Sequence, residues 1–201
     1  MDFSPESLKR LREDLIVEEV LRDQRLSFVT TWGLFSPKTV DAGTRLLLDH
    51  IEVGTSDDTI DLGCGYGPIG LTLAKLAPHG TSYLVDKDFV AVEYSRRNAK
   101  RNRIGNTEIL LSNGFDQVAD VQFDLVVSNL PAKTGKEQYY LFFSDALRLL
   151  RPGGRCYVVT INGLRRFVAR AFVEVFGNYT KVKQGKSYTV AMSQVGNEVR
   201  S

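Results

Sequence analysis

Thr59-Ile60-Asp61-Leu62-Gly63-Cys64-Gly65-Tyr66-Gly67-Pro68-Ile69-Gly70 decides how this chain reads. A short run that suits a buried strand passes into glycines at alternate positions, and Pro68 then fits the first turn of a helix. Glycines at the carboxyl end of a strand permit a tight turn and let a ligand lie against bare backbone. Residues 65–70 also satisfy G-x-G-x-x-G, so a dinucleotide site stays open beside other nucleotide-like ligands. The next apolar run, Tyr83-Leu84-Val85, ends in Asp86. That is about 20 residues beyond the loop, where a carboxylate can accept both hydroxyls of a ribose.

Working outward, short apolar runs alternate with helical stretches from Thr59 onward. Strands are predicted over 59–64, 82–86, 108–112, 123–129 and 155–160, several of them apolar on both faces, as in a parallel sheet covered by helices. Helices are predicted over about 67–77, 89–103, 137–150 and 164–176, with Pro78, Gly80, Gly105 and Pro152-Gly153-Gly154 as stops. Residues 179–183 and 187–193 flank Gln184-Gly185-Lys186 at hairpin spacing, so an antiparallel pair should finish the sheet. Upstream, residues 4–25 read as one helix, capped by Ser4, with Pro5 in its first turn and Leu8, Leu11, Leu15, Ile16 and Val20 along one side. A strand over 26–31 and a helix over about 38–52 follow. The expected organisation is a helical extension over 1–25, a domain over 26–195 and a tail over 196–201.

The chain has 201 residues, of which 43% are hydrophobic and 25% charged, a composition that excludes disordered and collagen-like classes. Apolar runs such as Tyr139 to Phe143 stay far below the roughly 20 residues that cross a bilayer. The first residues lack a basic segment followed by an apolar one, so the expectation is a cytoplasmic protein without a membrane partner. Cys64 and Cys156 stand far apart and outside any CxxC, which suggests neither a disulfide framework nor a metal site. The net charge of +2 conceals an asymmetry, because residues 26–95 sum to −5 and residues 151–201 to +7. A basic half of this kind attracts polyanions, although a solvated basic face would look the same.

Taken together, Asp61-x-Gly63-x-Gly65-x-Gly67, the strand-end Asp86, Asn129-Leu130-Pro131 and the terminal hairpin resemble a class I S-adenosylmethionine-dependent methyltransferase. Within that class, Phe35-Ser36-Pro37-Lys38-x-x-Asp41-x-Gly43-Thr44 and Asn129-Leu130-Pro131-x-x-x-Gly135-Lys136-Glu137 resemble the small-domain methyltransferase family, typified by ribosomal RNA small subunit methyltransferase C. The resemblance runs over about residues 26–193. It implies an α/β fold with a Rossmann-like seven-stranded methyltransferase sheet, S-adenosyl-L-methionine as cofactor, and RNA, ribosomal RNA first, as partner. It also implies a cofactor site of Phe35, Asp61, Gly63, Cys64, Gly65, Gly67, Asp86, Lys87, Asn113, Gly114, Phe115 and Asn129. Asp86 would hold the ribose, Asn113 and Phe115 would frame the adenine, and Phe35 would cover the methionine end. Lys133, Lys136, Arg165 and Arg166 are the expected phosphate contacts on the substrate. A homodimer through the first helix is left open.

Asn129, Leu130 and Pro131 are the expected catalytic segment. An exocyclic amine conjugated to a purine is a poor nucleophile, since its lone pair is delocalised into the ring. Two acceptors aimed at its two hydrogens pull it toward tetrahedral geometry, and holding it in line with the methyl supplies a proximity effect that reaches roughly 7 to 11 kcal/mol. The Asn129 side-chain oxygen and the Leu130 carbonyl suit those roles, and Pro131 keeps Leu130 extended. The common form of this segment has Pro where Leu130 stands and an aromatic where Ala132 stands. Stacking on a base would then fall to Phe35, Tyr139 or Tyr140. Guanine N2 is the first-choice acceptor, with methylation of a protein glutamine, a cofactor-binding RNA module without turnover, and a nicotinamide dehydrogenase as alternatives.

Overall fold

The computed structural model describes residues 4–132 and 134–197. In chain order its elements are α1 (Pro5–Arg10), β1 (Leu15–Leu21), β2 (Gln24–Thr30), α2 (Ala42–Leu48), β3 (Thr59–Leu62), α3 (Pro68–Leu76), β4 (Ser82–Asp86), α4 (Phe89–Arg101), β5 (Thr107–Leu111), β6 (Phe123–Asn129), α5 (Lys136–Leu149), β7 (Leu150–Ile161), α6 (Arg165–Phe176), β8 (Thr180–Gln184) and β9 (Tyr188–Gln194).

Seven strands form one sheet in the order β5-β4-β3-β6-β7-β9-β8. The first five are parallel, while β9 runs antiparallel to both β7 and β8. Two apolar clusters lie on its two faces, one with Leu47, Leu71 and Val92 from α2, α3 and α4, the other with Phe143 and Phe172 from α5 and α6. Burying both faces explains why the inner strands read as continuous apolar runs. All four residues of β3 are buried, and α3 crosses so close to the sheet that a Cβ on Gly70 would stand 2.3 Å from Leu84 Cγ. Chain order reverses between β3 and β6, so the crevice at their carboxyl ends is where an open α/β sheet offers a site.

The single helix expected over 4–25 is not formed. Only Pro5–Arg10 is helical, with Ser4 as its cap, and residues 15–30 make an antiparallel hairpin in which Leu15 pairs with Thr30 and Leu21 with Gln24. Leucines at 15 and 21 and β-branched residues at 16, 17 and 20 satisfy a period of two as well as a helical stripe, and β-branching favours the strand. Val17 and Leu21 point inward, whereas Ile16 and Val20 are 62% and 57% exposed. Arg22 and Asp23 close the turn with φ of 50° and 62°, the handedness a two-residue hairpin loop requires. Arg22 also donates from Nη1 to the carbonyls of Leu48 and Ile51, each at 2.7 Å, at the carboxyl end of α2.

What holds the hairpin on the domain is α4. Asn98, fully buried, accepts from Val29 N at 2.7 Å and donates to Val29 O at 3.0 Å and Tyr66 O at 2.9 Å. One turn later Asn102 accepts from Ser27 N and donates to Ser27 O, both at 2.8 Å. Four helical residues rise about 6 Å and two strand residues about 6.7 Å, so two amides on one helix face serve as a neighbouring strand for β2. The helix expected over 38–52 is confined to Ala42–Leu48. The helix expected over 137–150 ends at Leu149 and passes directly into β7, within which residues 152–154 form an irregular stretch, with Gly153 at φ 78° and a register shift opposite Phe123 and Leu125.

Candidate active site

The strand β3 ends where the chain must turn sharply, and Gly63, Gly65 and Gly67 take φ of 76°, 57° and 97°. Gly63 N and Cys64 N both donate to Val85 O, at 2.9 and 3.0 Å, which pins the loop to the end of β4. A Cβ on Gly63 or Gly65 would meet no protein atom within 4 Å, so these positions open onto free space in front of the sheet. Asp86 faces that space. Its Oδ2 accepts from Gly65 N and its Oδ1 from Asp88 N, both at 3.0 Å, leaving each oxygen a lone pair for a ligand hydroxyl.

Asp61 plays a different part from its glycine neighbours. It is 1% exposed, does not border the cavity, and accepts Gly70 N at 2.9 Å, supplying the first turn of α3 with the acceptor that its N-cap Gly67 lacks. Its Oδ1 is buried without a partner among the described residues. Burial pushes its carboxyl up to about 7, with the Gly70 N–H opposing and the Asp86 charge adding to the rise. Burial, then the Asp61 charge, also drives the Cys64 thiol well above its ordinary range, which favours its protonated form.

Across the crevice β6 delivers Asn129. Its Nδ2 donates to Asp41 Oδ2 and to Thr44 Oγ1, both at 3.1 Å, and among the described residues its Oδ1 has no partner. Leu130 N donates to Val159 O at 2.9 Å while the Leu130 side chain is buried at 5% exposure, so the strand exit is anchored by the residue that stands in place of proline. The Leu130 carbonyl has no partner among the described residues. Tyr139 OH donates to Pro131 O, holding the far side of the turn. The result is two oxygen acceptors at one strand end and a carboxylate at the next strand but one.

These groups share one open cavity of about 1000 Å3. That is the upper end of the range that encloses one small ligand, leaving room for a nucleoside cofactor and part of a second molecule. Of the residues predicted from sequence, Phe35, Gly63, Cys64, Gly65, Asp86, Lys87, Asn113, Gly114, Asn129, Leu130 and Pro131 line it. Asp61, Gly67 and Phe115 do not. Phe115 is buried and packs at 5.9 Å on Phe142, and it is Phe142 whose ring borders the cavity. Lys136, Arg165 and Arg166 also lie off the lining, and Lys133 lies outside the described residues. Among the stacking candidates Phe35 stands 66% exposed at the mouth, Tyr139 is buried along the wall, and Tyr140 turns away to Glu174 and Phe167. Neither histidine borders the cavity.

Sequence reasoning missed Asp41, Thr44 and Tyr188. The first two sit in the segment Asp41-x-Gly43-Thr44, and that spacing was a usable signal; Tyr188 reaches the site only through the sheet register.

A family model described as Methyltransferase small domain matches residues 25–192. An uncharacterised protein of Bacillus subtilis, YbxB, is 38% identical over 141 residues, 69% of this chain and 70% of its own length. Ribosomal RNA small subunit methyltransferase C of Pseudomonas entomophila is 33% identical over 171 residues, 82% of this chain and 50% of that protein. Ribosomal RNA large subunit methyltransferase G of Streptomyces avermitilis is 33% identical over 132 residues, 63% of this chain and 35% of that protein. The chain thus spans half or less of these two enzymes. Among solved structures, a T. thermophilus 16S rRNA N2 methyltransferase in complex with AdoMet and guanosine superposes with a TM-score of 0.81 over 90% of this chain and 50% of that one. At 24% identity this is a likeness of fold.

Proposed function

This chain belongs to the methyltransferase small domain family, and on that premise we propose that it transfers a methyl group from S-adenosylmethionine to an exocyclic amine of a ribosomal RNA base, guanine N2 first. The observation that carries this reading is the pair of acceptors without a partner among the described residues, Asn129 Oδ1 and the Leu130 carbonyl, in one cavity with the glycine loop and Asp86.

The cavity fits that cofactor by its donors and its room. Open space at Gly63 and Gly65 admits a ligand against the backbone, the spare lone pairs of Asp86 suit two ribose hydroxyls, and the Asn113 side chain, without a partner among the described residues, suits a purine edge. When bound, S-adenosylmethionine supplies an electrophilic methyl whose bonding pair returns to sulfur as an amine lone pair takes the carbon. Asn129 Oδ1 and Leu130 O accept the two amine hydrogens and turn the lone pair out of conjugation. Ala132 leaves the mouth wider than an aromatic would, and Phe35 offers its exposed ring to the base. After transfer the positively charged nitrogen releases its proton to solvent through the open mouth of the cavity.

Incubating the protein with methyl-labelled S-adenosylmethionine and ribosomal RNA from cells lacking the gene should yield a labelled N2-methylguanosine. Asn129→Ala should lower turnover about 100-fold or more with cofactor affinity unchanged. Asp86→Ala should weaken cofactor binding about tenfold or more by calorimetry. Label in no ribosomal RNA, or full turnover by Asn129→Ala, would overturn the reading.

A further inference from the structure

Both hydrogens of the Asn129 amide are committed to side chains at the start of α2, 88 and 85 residues away in the sequence, on the wall of the same cavity. We propose that Asp41 is a positioning residue that, together with Thr44 and Tyr188, fixes the Asn129 amide with Oδ1 toward the substrate amine and sets a negative charge behind it. The assignment deepens the methyl-transfer reading above and rests on it.

An asparagine side chain fits most pockets in two ways that exchange its oxygen and nitrogen. The exchanged form would point two donors at an amine whose own hydrogens are donors. Asp41 forbids it, because a carboxylate only accepts, and the exchange would bring two acceptor oxygens to 3.1 Å. Thr44 Oγ1 takes the second hydrogen at 3.1 Å, which fixes the amide plane. Asp41 is itself held rigid. Its Oδ2 accepts Gly43 N at 2.9 Å and Thr44 N at 3.3 Å at the start of α2, and its Oδ1 accepts Tyr188 OH at 3.0 Å from β9. Burial, then the hydrogen bond to Asp41, holds the Tyr188 phenol above its ordinary range, so it remains a donor.

The charge matters beyond geometry. A carboxylate bound to an amide N–H draws electron density toward the amide oxygen and makes Oδ1 a stronger acceptor. Methyl transfer also places positive charge on the attacking nitrogen, and a fixed anion one residue behind it favours that state. Asp41 therefore acts through Asn129 on the rate of transfer, and it borders the cavity itself, so the two effects are separated by measuring kcat and cofactor affinity together.

Two isosteric variants separate these effects from the capping of α2. Asp41→Asn keeps an oxygen for Gly43 N and Thr44 N but removes the charge and permits the flip. Thr44→Val removes one partner of the amide, and Thr44→Ser restores it. Both Asp41→Asn and Thr44→Val should lower kcat on ribosomal RNA about tenfold or more while the Kd for S-adenosylmethionine stays within about twofold, and Thr44→Ser should recover most of the rate. In protein labelled with 15N-asparagine, the Asn129 side-chain protons, identified by their loss in Asn129→Ala, should move upfield in Asp41→Asn and Thr44→Val. A kcat within about twofold of wild type in both variants would overturn the proposal. If the wild-type protein labels no ribosomal RNA, the functional reading fails and the amide signals decide this one: upfield movement upholds it, and unchanged signals in both variants overturn it.

Discussion

Asp61 shows how one residue can be read correctly as special and wrongly as to place. Its sequence position, two residues before the first loop glycine, put it among the cofactor contacts, yet the side chain is buried off the cavity and holds the first turn of α3. The cost is a buried carboxyl raised to about 7 against an ordinary value near 4. Between those two values the folded protein keeps a proton that the unfolded chain has released, so this group makes the fold less stable as pH rises through the window. Asn at 61 keeps the acceptor for Gly70 N and does not titrate. Wild-type stability measured relative to Asp61→Asn by urea unfolding should therefore fall by up to about 1.4 kcal/mol per pH unit between pH 5 and 7 and level off above. A difference that stays constant from pH 5 to 8 would contradict the burial of a proton there. Gly63, Gly65 and Asp86 were legible because their requirement is local, a positive φ at a strand end and a carboxylate at the end of the next strand. Phe142 was not, since its ring replaces that of Phe115 only through packing of α5 on the loop after β5.

The hairpin β1-β2 belongs to the scale of elements. Residues 15–21 carry a pattern that both a helix and a strand can satisfy, and partners elsewhere made the choice. The amides of Asn98 and Asn102 complete the edge of β2, and Asp14 binds Arg97 at 2.6 Å and Tyr94 OH beside them. Asn98→Ala would leave Val29 N–H and C=O buried and unpaired, which should cost about 2 to 4 kcal/mol in urea unfolding. Asn102→Ala, at a less buried site, should cost less. Hydrogen exchange should speed up first in residues 24–30 of the Asn98 variant; slow exchange there with a small loss of stability would mean that the hairpin is held by its apolar face alone. The helix left open as a dimer surface is formed only over Pro5–Arg10, and residues 15–21 of that segment pair with β2 instead.

At the scale of the whole molecule, the charge asymmetry gains a position. Arg165, Arg166, Lys181, Lys183 and Lys186 pair with no carboxylate among the described residues. Three of them gather near the end of β7, where Arg165 donates to Asn162 O at 2.7 Å and Asn162 Nδ2 donates to the carbonyls of Gly185 and Lys186 at 3.1 and 2.9 Å. Ile161 and Tyr188, on either side of that knot, line the cavity. Under the RNA reading, each of Arg166→Glu and Lys186→Glu should weaken ribosomal RNA binding and reduce its salt slope by about one, with S-adenosylmethionine affinity unchanged. A slope unmoved by both would place the RNA on another face. By itself the sequence determined the strand-helix alternation, the glycine turn, the Asp86 strand end and the terminal hairpin, because each is written in periodicity or in a φ that a local residue must adopt. The tertiary structure alone decided that residues 15–30 pair as strands and that Asp41 and Tyr188 meet behind Asn129. Those contacts join segments 88 and 147 residues apart. Sheet order and register set them, and neither leaves a mark on neighbouring residues.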